Sequence, residues 1–348
     1  MNTAWFAVVS FMLIVYVVLD GRNFGVGMLH WFVARTQEER RQVIATLKPL
    51  FSWHEVWLIA FGGTLVAVFP RLMASAFSGY YLALFLILWC YIFRGVALEV
   101  GGHLGDRMWR GFWDFFFVIS SFLLAVLFGA AGGNMARGVP LDAQGNFSMA
   151  FFTNFELGKY PGLLDWYTVS VGVFAVVLLA AHGANYLVLK TDGPVHERSV
   201  RWARRLWPAL IPLLFLVSLE TWHVRPDLPW RILPDPFSWL GIILVLIAAG
   251  ALAFGLREGR EQATFAASSL LIAALLATGA TTIYPVMLYS TVAPENSLTI
   301  YNAASSPKSL LMAAIWWPFA LVLTIGYFVC VSRQYFGKVG IERDSPHR

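Results

Sequence analysis

Residues 52–103 read SWHEVWLIAFGGTLVAVFPRLMASAFSGYYLALFLILWCYIFRGVALEVGGH, two long apolar runs that nevertheless carry His54, Glu55, Arg94 and Glu99. A helix crosses the hydrocarbon core of a bilayer with roughly 20 apolar residues, and each run is long enough to do so. An ionisable group at that depth costs roughly 2.5 kcal/mol or more, so such groups face a protein interior, a water path or a partner. The stretch therefore points to an all-α membrane bundle and marks where its chemistry lies. On a helix, Ser52 and Glu55 are one turn apart and share a face, so hydroxyl and carboxylate can serve one hydrogen-bonded chain with His54 beside it. Trp53 and Trp57, four apart, stack on an adjoining face. The competing account places His54 and Glu55 at the membrane interface, solvated among the aromatic side chains common there.

The remainder of the chain has the same character. Its 348 residues are 58% hydrophobic and 13% charged, with a mean hydropathy of +0.66, whereas about a quarter of a soluble domain's residues are charged. The net charge of +5 raises the question of nucleic acid. The basic residues, however, are spread over short loops and form no patch with interleaved aromatics, so no nucleic-acid partner is expected. Cys90 and Cys330 both lie inside apolar runs, which leaves neither a disulfide framework nor a cysteine-rich metal site. Residues 1–19 lack a basic leader region and a small-residue cleavage site, so they read as a retained first span.

Nine spans are predicted, over residues 4–33, 52–75, 78–101, 112–136, 165–189, 205–223, 237–256, 263–289 and 309–332, in one polytopic membrane domain covering 1–348. One set of connections carries Arg35, Arg40, Arg41 and Lys48, then Arg107 and Arg110, then Lys190, Arg198, Arg201, Arg204 and Arg205, then Arg257 and Arg260, and finally Arg333, Lys338, Arg343 and Arg348. The other set carries only Arg71, Arg137, Lys159, Arg225, Arg231 and Lys308. The positive-inside rule then predicts a periplasmic amino terminus and a cytoplasmic carboxyl terminus. The longest connections, near 137–164 and 290–308, fall outside. The Pro- and Trp-rich segment 225–239 suits either a compact outer cap or a plain turn.

Further polar groups interrupt the spans. Asp20 and Arg22 in the first either neutralise one another or line a polar path, and Gly21, Gly25 and Gly27 admit a close neighbouring helix. Arg94 and Glu99 flank a boundary where they can snorkel or pair locally. His182, one turn before Tyr186 with Asn185 alongside, fits a hydrogen-bonded packing residue better than a ligand. Glu220 is only weakly suggestive. Thr281 and Thr282 precede Pro285, whose freed backbone groups hydroxyls can satisfy. Ser305 or Ser306 caps a helix beginning at Pro307. No phosphate loop, zinc helix or serine-nucleophile elbow is present. His54, His182 and His223 are haem-ligand candidates of little specificity. Two classes remain, a stand-alone proton-coupled transporter or a membrane subunit of a redox complex. Nine spans without matching Gly/Pro interruptions in paired halves argue modestly against the first.

The runs LDGRNFGVGML (19–29), HEVWLIAFGGTLVAVFP (54–70), FSGYY (77–81), FRGVALEV (93–100), AHGANYLVLKTDG (181–193) and SLTIYNAASSPKSLL (297–311) occur in an order that resembles subunit II of the cytochrome bd-type (cyanide-insensitive-like) quinol oxidases over nearly the full length. That resemblance implies a subunit of the bacterial cytoplasmic (inner) membrane, paired as a heterodimer with a larger subunit I that holds two haem b and one haem d. The complex oxidises quinol, reduces dioxygen to water by four electrons, and takes protons from the cytoplasm, so that a proton motive force builds. Subunit II itself carries no haem and no catalytic centre; it packs on subunit I, helps convey protons and can hold a structural quinone. Lipid and small single-span accessory subunits are further expected partners. Asp20 matches the family's acidic residue of the first span. In the second span the family commonly has W-D-G-N-[EQ]-V-W where this chain has Phe51-Ser52-Trp53-His54-Glu55-Val56-Trp57, so Ser52 replaces a carboxylate for which Glu55, with His54 beside it, is expected to compensate. The proton-path candidates are Asp20, Ser52, His54, Glu55 and Glu99. Trp53 and Trp57 are the candidates for contact with subunit I.

Overall fold

The structure is a computed structural model that describes residues 1–104, 106–335 and 337–340. Arg343 and Arg348 lie outside the described residues. Among these, nine helices are long and apolar enough to cross a membrane. They are α1 (Asn2–Val33), α3 (Phe51–Val68), α5 (Tyr81–Val100), α6 (Arg107–Arg137), α7 (Trp166–Lys190), α8 (Gly193–Val224), α10 (Pro236–Glu258), α11 (Glu261–Ile283) and α12 (Pro307–Gln334). Shorter helices α2 (Gln37–Leu47), α4 (Pro70–Gly79) and α9 (Leu228–Ile232) and a two-stranded antiparallel pair, β1 (Val286–Leu288) with β2 (Leu298–Thr299), complete the described elements.

The helix count agrees with the hydropathy reading, whereas three boundaries move for local reasons. The predicted span 52–75 breaks at Phe69, which leaves the helical region (φ −128, ψ 61) before Pro70 opens α4. A proline has no N–H for the preceding turn and crowds the residue before it. The predicted span 263–289 stops at Ile283, because Tyr284 adopts ψ 140 ahead of Pro285 and the chain passes into β1. Thr281 and Thr282 hydroxyls then donate to the Thr278 carbonyl within the last helical turns. α8 starts well before residue 205, at Gly193, so its first turns are the basic segment of the predicted loop. Ser306 caps α12 through a hydrogen bond from the Ser309 N–H, as the Ser-Pro pair suggests.

α1 is the axis of the bundle, packed against α3, α6, α7 and α11. Its glycines allow this. A Cβ on Gly25 would collide with the Leu179 carbonyl oxygen and lie 2.8 Å from the Gly183 Cα, so α1 and α7 cross backbone to backbone. A Cβ on Gly27 would strike Ser121 of α6.

At one end of the bundle the basic connections meet. The Gln42 amide of α2 donates to the carbonyls of Asp192 and Val339, Lys190 donates to the carbonyls of Tyr335 and Gly337, and Lys338 pairs with Asp192 and Glu261. α2 is docked by its own cap. Thr36 and Glu39 form a capping box, and the Arg198 guanidinium of α8 grips Glu39 through both carboxylate oxygens at 2.7 and 3.0 Å. The Arg198 hydrogen bonds, with those from the Arg35 and Thr36 N–H groups, hold the Glu39 carboxyl down at about 2 against the opposing effect of burial. A depressed carboxyl stabilises the fold above its ordinary value and loses that contribution as pH falls toward the folded value. Glu39→Gln is therefore expected to lower the melting temperature of the purified complex at neutral pH. The gap to wild type should shrink as pH falls from about 4.5 to about 2, and a gap constant with pH would contradict this account.

At the opposite end, the connections 138–165 and 284–306 fold into a cap with its own apolar core, which includes Trp5, Leu65, Phe69, Leu141, Phe147, Leu163 and Leu298. Arg137 and Asp165 form a buried ion pair beneath it, with Asn134 alongside. Segment 225–239 contributes α9, and Arg225 pairs with Asp227 at 2.8 Å while its guanidinium stacks on Tyr289. Segment 225–239 is thus an ordered cap and more than a turn.

Candidate functional site

α1, α3 and α5 each bring acidic or basic side chains to one place inside the bundle. Asp20 and Arg94 are fully buried and His54 is 1% exposed, while the Glu55 side chain is 28% exposed. Arg94 is the hub. Its Nη2 donates to both oxygens of Asp20 at 3.1 and 2.9 Å and to Glu55 Oε1 at 3.0 Å, and its guanidinium lies over the rings of Phe24, Phe51 and Tyr91 at 4.5, 4.8 and 5.0 Å. Tyr16 donates to Asp20 Oδ2 at 3.2 Å and its hydroxyl meets that of Tyr91. On the far side, Arg22 lies over the Tyr186 ring and approaches His54 Nε2 at 2.7 Å. Asn23 bridges the halves through its amide nitrogen, 2.8 Å from Asp20 Oδ1 and 2.7 Å from His54 Nδ1.

Asp20 and Glu55 balance Arg22 and Arg94, which is how the charges persist in an apolar interior: a buried ion needs a close partner of opposite sign and hydrogen bonds on its remaining valences. The donors and acceptors also constrain where protons sit. A guanidinium only donates, so His54 Nε2 accepts from Arg22 and the neutral ring carries its proton on Nδ1, toward Asn23. The amide nitrogen facing that N–H cannot accept it. Turning the Asn23 amide offers its carbonyl to Nδ1–H and brings the same oxygen to face Asp20 Oδ1. Oδ2 remains to accept from Arg94 and Tyr16.

Several sequence expectations are revised here. Arg94 neither snorkels nor pairs with Glu99; it is buried and joins the two acids. Asp20 is neutralised by Arg94 and not by Arg22. Ser52 is exposed on α3 and makes no hydrogen bond with the described residues, so the Ser52–Glu55 chain is not formed. The reason is angular: three residues on a helix differ by about 60° in direction, enough to turn Ser52 outward while Glu55 reaches Arg94. Glu99 is likewise exposed, 3.5 Å from Lys48, and apart from the cluster. Trp57 is buried against Phe11 in the chain's own core, and Trp53 stacks on Tyr327 of α12 at 4.0 Å. Trp57 therefore serves packing within this chain, while Trp53 keeps part of its ring exposed. His182 is the packing residue expected, holding Ser268 Oγ at 2.8 Å and the Val18 carbonyl at 3.1 Å. With both ring nitrogens engaged, His54 and His182 are poor donors to a haem iron in this arrangement. Sequence reasoning singled out Arg22 and Arg94 as costly intramembrane charges without placing them in the proton path, and it left Asn23, Tyr16 and Tyr91 unassigned. The signal was the need of each buried carboxylate for a cation in a neighbouring span.

The Cytochrome bd terminal oxidase subunit II family model matches residues 1–334. The chain belongs to that family. Within it, the chain is 29% identical over 338 residues to Cytochrome bd-I ubiquinol oxidase subunit 2 of Escherichia coli (strain K12), covering 88% of this chain and 86% of that one. It is 26% identical over 316 residues to Cytochrome bd ubiquinol oxidase subunit 2 of Bacillus subtilis (strain 168), covering 90% of each. Its fold matches a chain in the structure of bd oxidase from Geobacillus thermodenitrificans with a TM-score of 0.75 and 14% identity, over 96% of this chain and 98% of the other. Membership in the subunit II family and the nine apolar helices make this a multi-pass protein of the bacterial inner membrane, and a stand-alone transporter is not favoured.

Proposed function

We propose that this chain is the haem-free partner of a haem-bearing subunit I in a quinol:oxygen oxidoreductase, and that its buried cluster passes protons toward that subunit. In the balanced reaction two quinols give four electrons to dioxygen and two quinones and two waters result. Two haem b and one haem d in subunit I supply the electron transfer and the oxygen chemistry. The engaged ring nitrogens of His54 and His182 accord with that division.

The observation that carries the reading is the run Asp20–Arg94–Glu55, sealed at Asp20 and open at Glu55. Asp20, Asn23 and His54 provide the proton positions, and Glu55 the exit. Val56 and Ile59, beside Glu55 and one turn on, are 40% and 72% exposed, an apolar surface on which subunit I can seat; this replaces Trp53 and Trp57 as the contact. Toward the basic end, taken here as cytoplasmic by the positive-inside rule, α1 also carries His30, about 15 Å along the axis from Asp20. His30 lies 3.2 Å from Asp114, which Arg40 also holds at 2.8 Å, and this group is the entrance in the reading. Ser52 and Glu99 have no part in it. Quinone, lipid and small single-span subunits are further partners consistent with the largely exposed α10 and α12.

The test is oxygen consumption and proton uptake of the assembled complex with Asp20→Asn and Glu55→Gln. Each is expected to slow turnover per haem on the order of 10²-fold, as loss of a proton-transferring group does. Unchanged turnover in both would remove them from the path. Purification of the chain without a haem-absorbing partner would contradict the assignment itself.

A further inference from the structure

We propose that a cavity between α7, α8, α10 and α11 at the basic end binds the headgroup of one phospholipid, of the phosphoethanolamine class. The cavity has a volume of about 240 Å³ and is lined by Asn185, His196, Arg204, Gly255, Glu261 and Thr264 among others. Asn185 is 2% exposed, yet neither its amide nitrogen nor its amide oxygen has a hydrogen-bond partner. A buried amide in that state is unfavourable, so the site calls for a ligand offering both an acceptor and a donor. Arg204, also in the lining, makes no ion pair or hydrogen bond with the described residues. Glu261, a further lining residue, is approached by Lys338 at 2.9 Å and His196 at 3.6 Å and keeps lone pairs for a further cation.

A phosphate suits Arg204 and the Asn185 N–H₂, and an ammonium suits the Asn185 carbonyl and Glu261. Water would satisfy Asn185, and hydrogen phosphate both Asn185 and Arg204, but only a zwitterionic headgroup brings a cation to Glu261 as well. The position agrees: the cavity lies at helix ends, where headgroups reside, and basic pockets between spans commonly hold lipid phosphates. Farther along α8 and α10, Ile211, Phe215, Leu246 and Phe254 are 72, 66, 67 and 53% exposed, an apolar surface for acyl chains.

The experiment takes the complex with its haem subunit, purified and stripped of loosely held lipid. It is mixed with phosphatidylethanolamine micelles, phosphatidylglycerol micelles or inorganic phosphate, and bound molecules are counted by native mass spectrometry. One retained phosphatidylethanolamine is expected, with affinity about tenfold lower in Arg204→Gln, the loss for one charge-assisted hydrogen bond. Arg204 is exposed, so this variant assembles, which haem content and subunit ratio verify. Asn185→Leu should behave alike, and should it fail to assemble, Arg204→Gln decides. Equal retention by Arg204→Gln and wild type, displacement by inorganic phosphate, equal affinity for phosphatidylglycerol, or a quinone in place of the lipid would each overturn the proposal.

Discussion

Arg94→Met is expected to prevent the complex from accumulating. The substitution keeps an apolar stem among Phe24, Phe51 and Tyr91 but removes the only cation that touches both Asp20 and Glu55 among the described residues. Breaking a buried ion pair by deleting one partner costs about 3–5 kcal/mol, because the remaining charge is left without compensation. Against a total stability of about 5–15 kcal/mol, that loss is large. Haem absorbance and subunit levels in membranes measure it. Adding Asp20→Asn to Arg94→Met removes one stranded charge and should restore part of the complex, which an overpacking explanation would not predict. Arg94→Lys keeps the charge but offers one point donor where the guanidinium reaches two acids, so an intermediate level is expected. Wild-type accumulation of Arg94→Met would show that the two carboxylates find other partners and that the cluster is not built around this residue.

Gly25→Val is the second change expected to eliminate the protein from the membrane. α1 and α7 meet there with no side chain between them, and the added Cβ would overlap the Leu179 carbonyl oxygen and crowd the Gly183 backbone. Backbone cannot yield as a flexible side chain can, and overpacking in a filled interior costs about 1–3 kcal/mol or more. The same separation would pull Arg22 and Asn23 away from His54, since all three are positioned by how deeply α1 is seated. Gly25→Ala should produce a smaller version of both effects. Gly279→Ala, where nothing lies within 4 Å of the added atom, is the control expected to leave subunit levels unchanged.

Some of this architecture is legible one residue at a time. Hydropathy over a window of one bilayer crossing located all nine apolar helices, since a span must satisfy its backbone internally and expose apolar side chains regardless of its neighbours. Local covalent chemistry ought to have placed the breaks at Pro70 and Pro285, because proline acts on the adjacent turn; the apolar pattern running through both prolines concealed them. The order of motif runs identified the family, and Asp20, His54 and Glu55 stood out because ionisable groups in apolar runs are costly.

What the chain could not disclose alone is which of its polar groups meet. Ser52 and Glu55 share a helical face in projection, yet only Glu55 reaches Arg94, because the neighbouring helix determines which part of a face is inside. Arg94 and Glu99, five residues apart, look equally peripheral in sequence, but one is fully buried and the other open to solvent. Trp53 and Trp57 look alike in sequence, but Trp57 is buried against Phe11 whereas Trp53 is half-buried on Tyr327. The nine spans follow from interactions between a segment and lipid, so sequence alone determined them, while the breaks at Pro70 and Pro285 within two of them emerged only in the structure. The pairing of Asp20 with Arg94 and of Arg22 with His54 joins residues 74 and 32 positions apart, and only the close seating of α1 against α3, α5 and α7 could decide it.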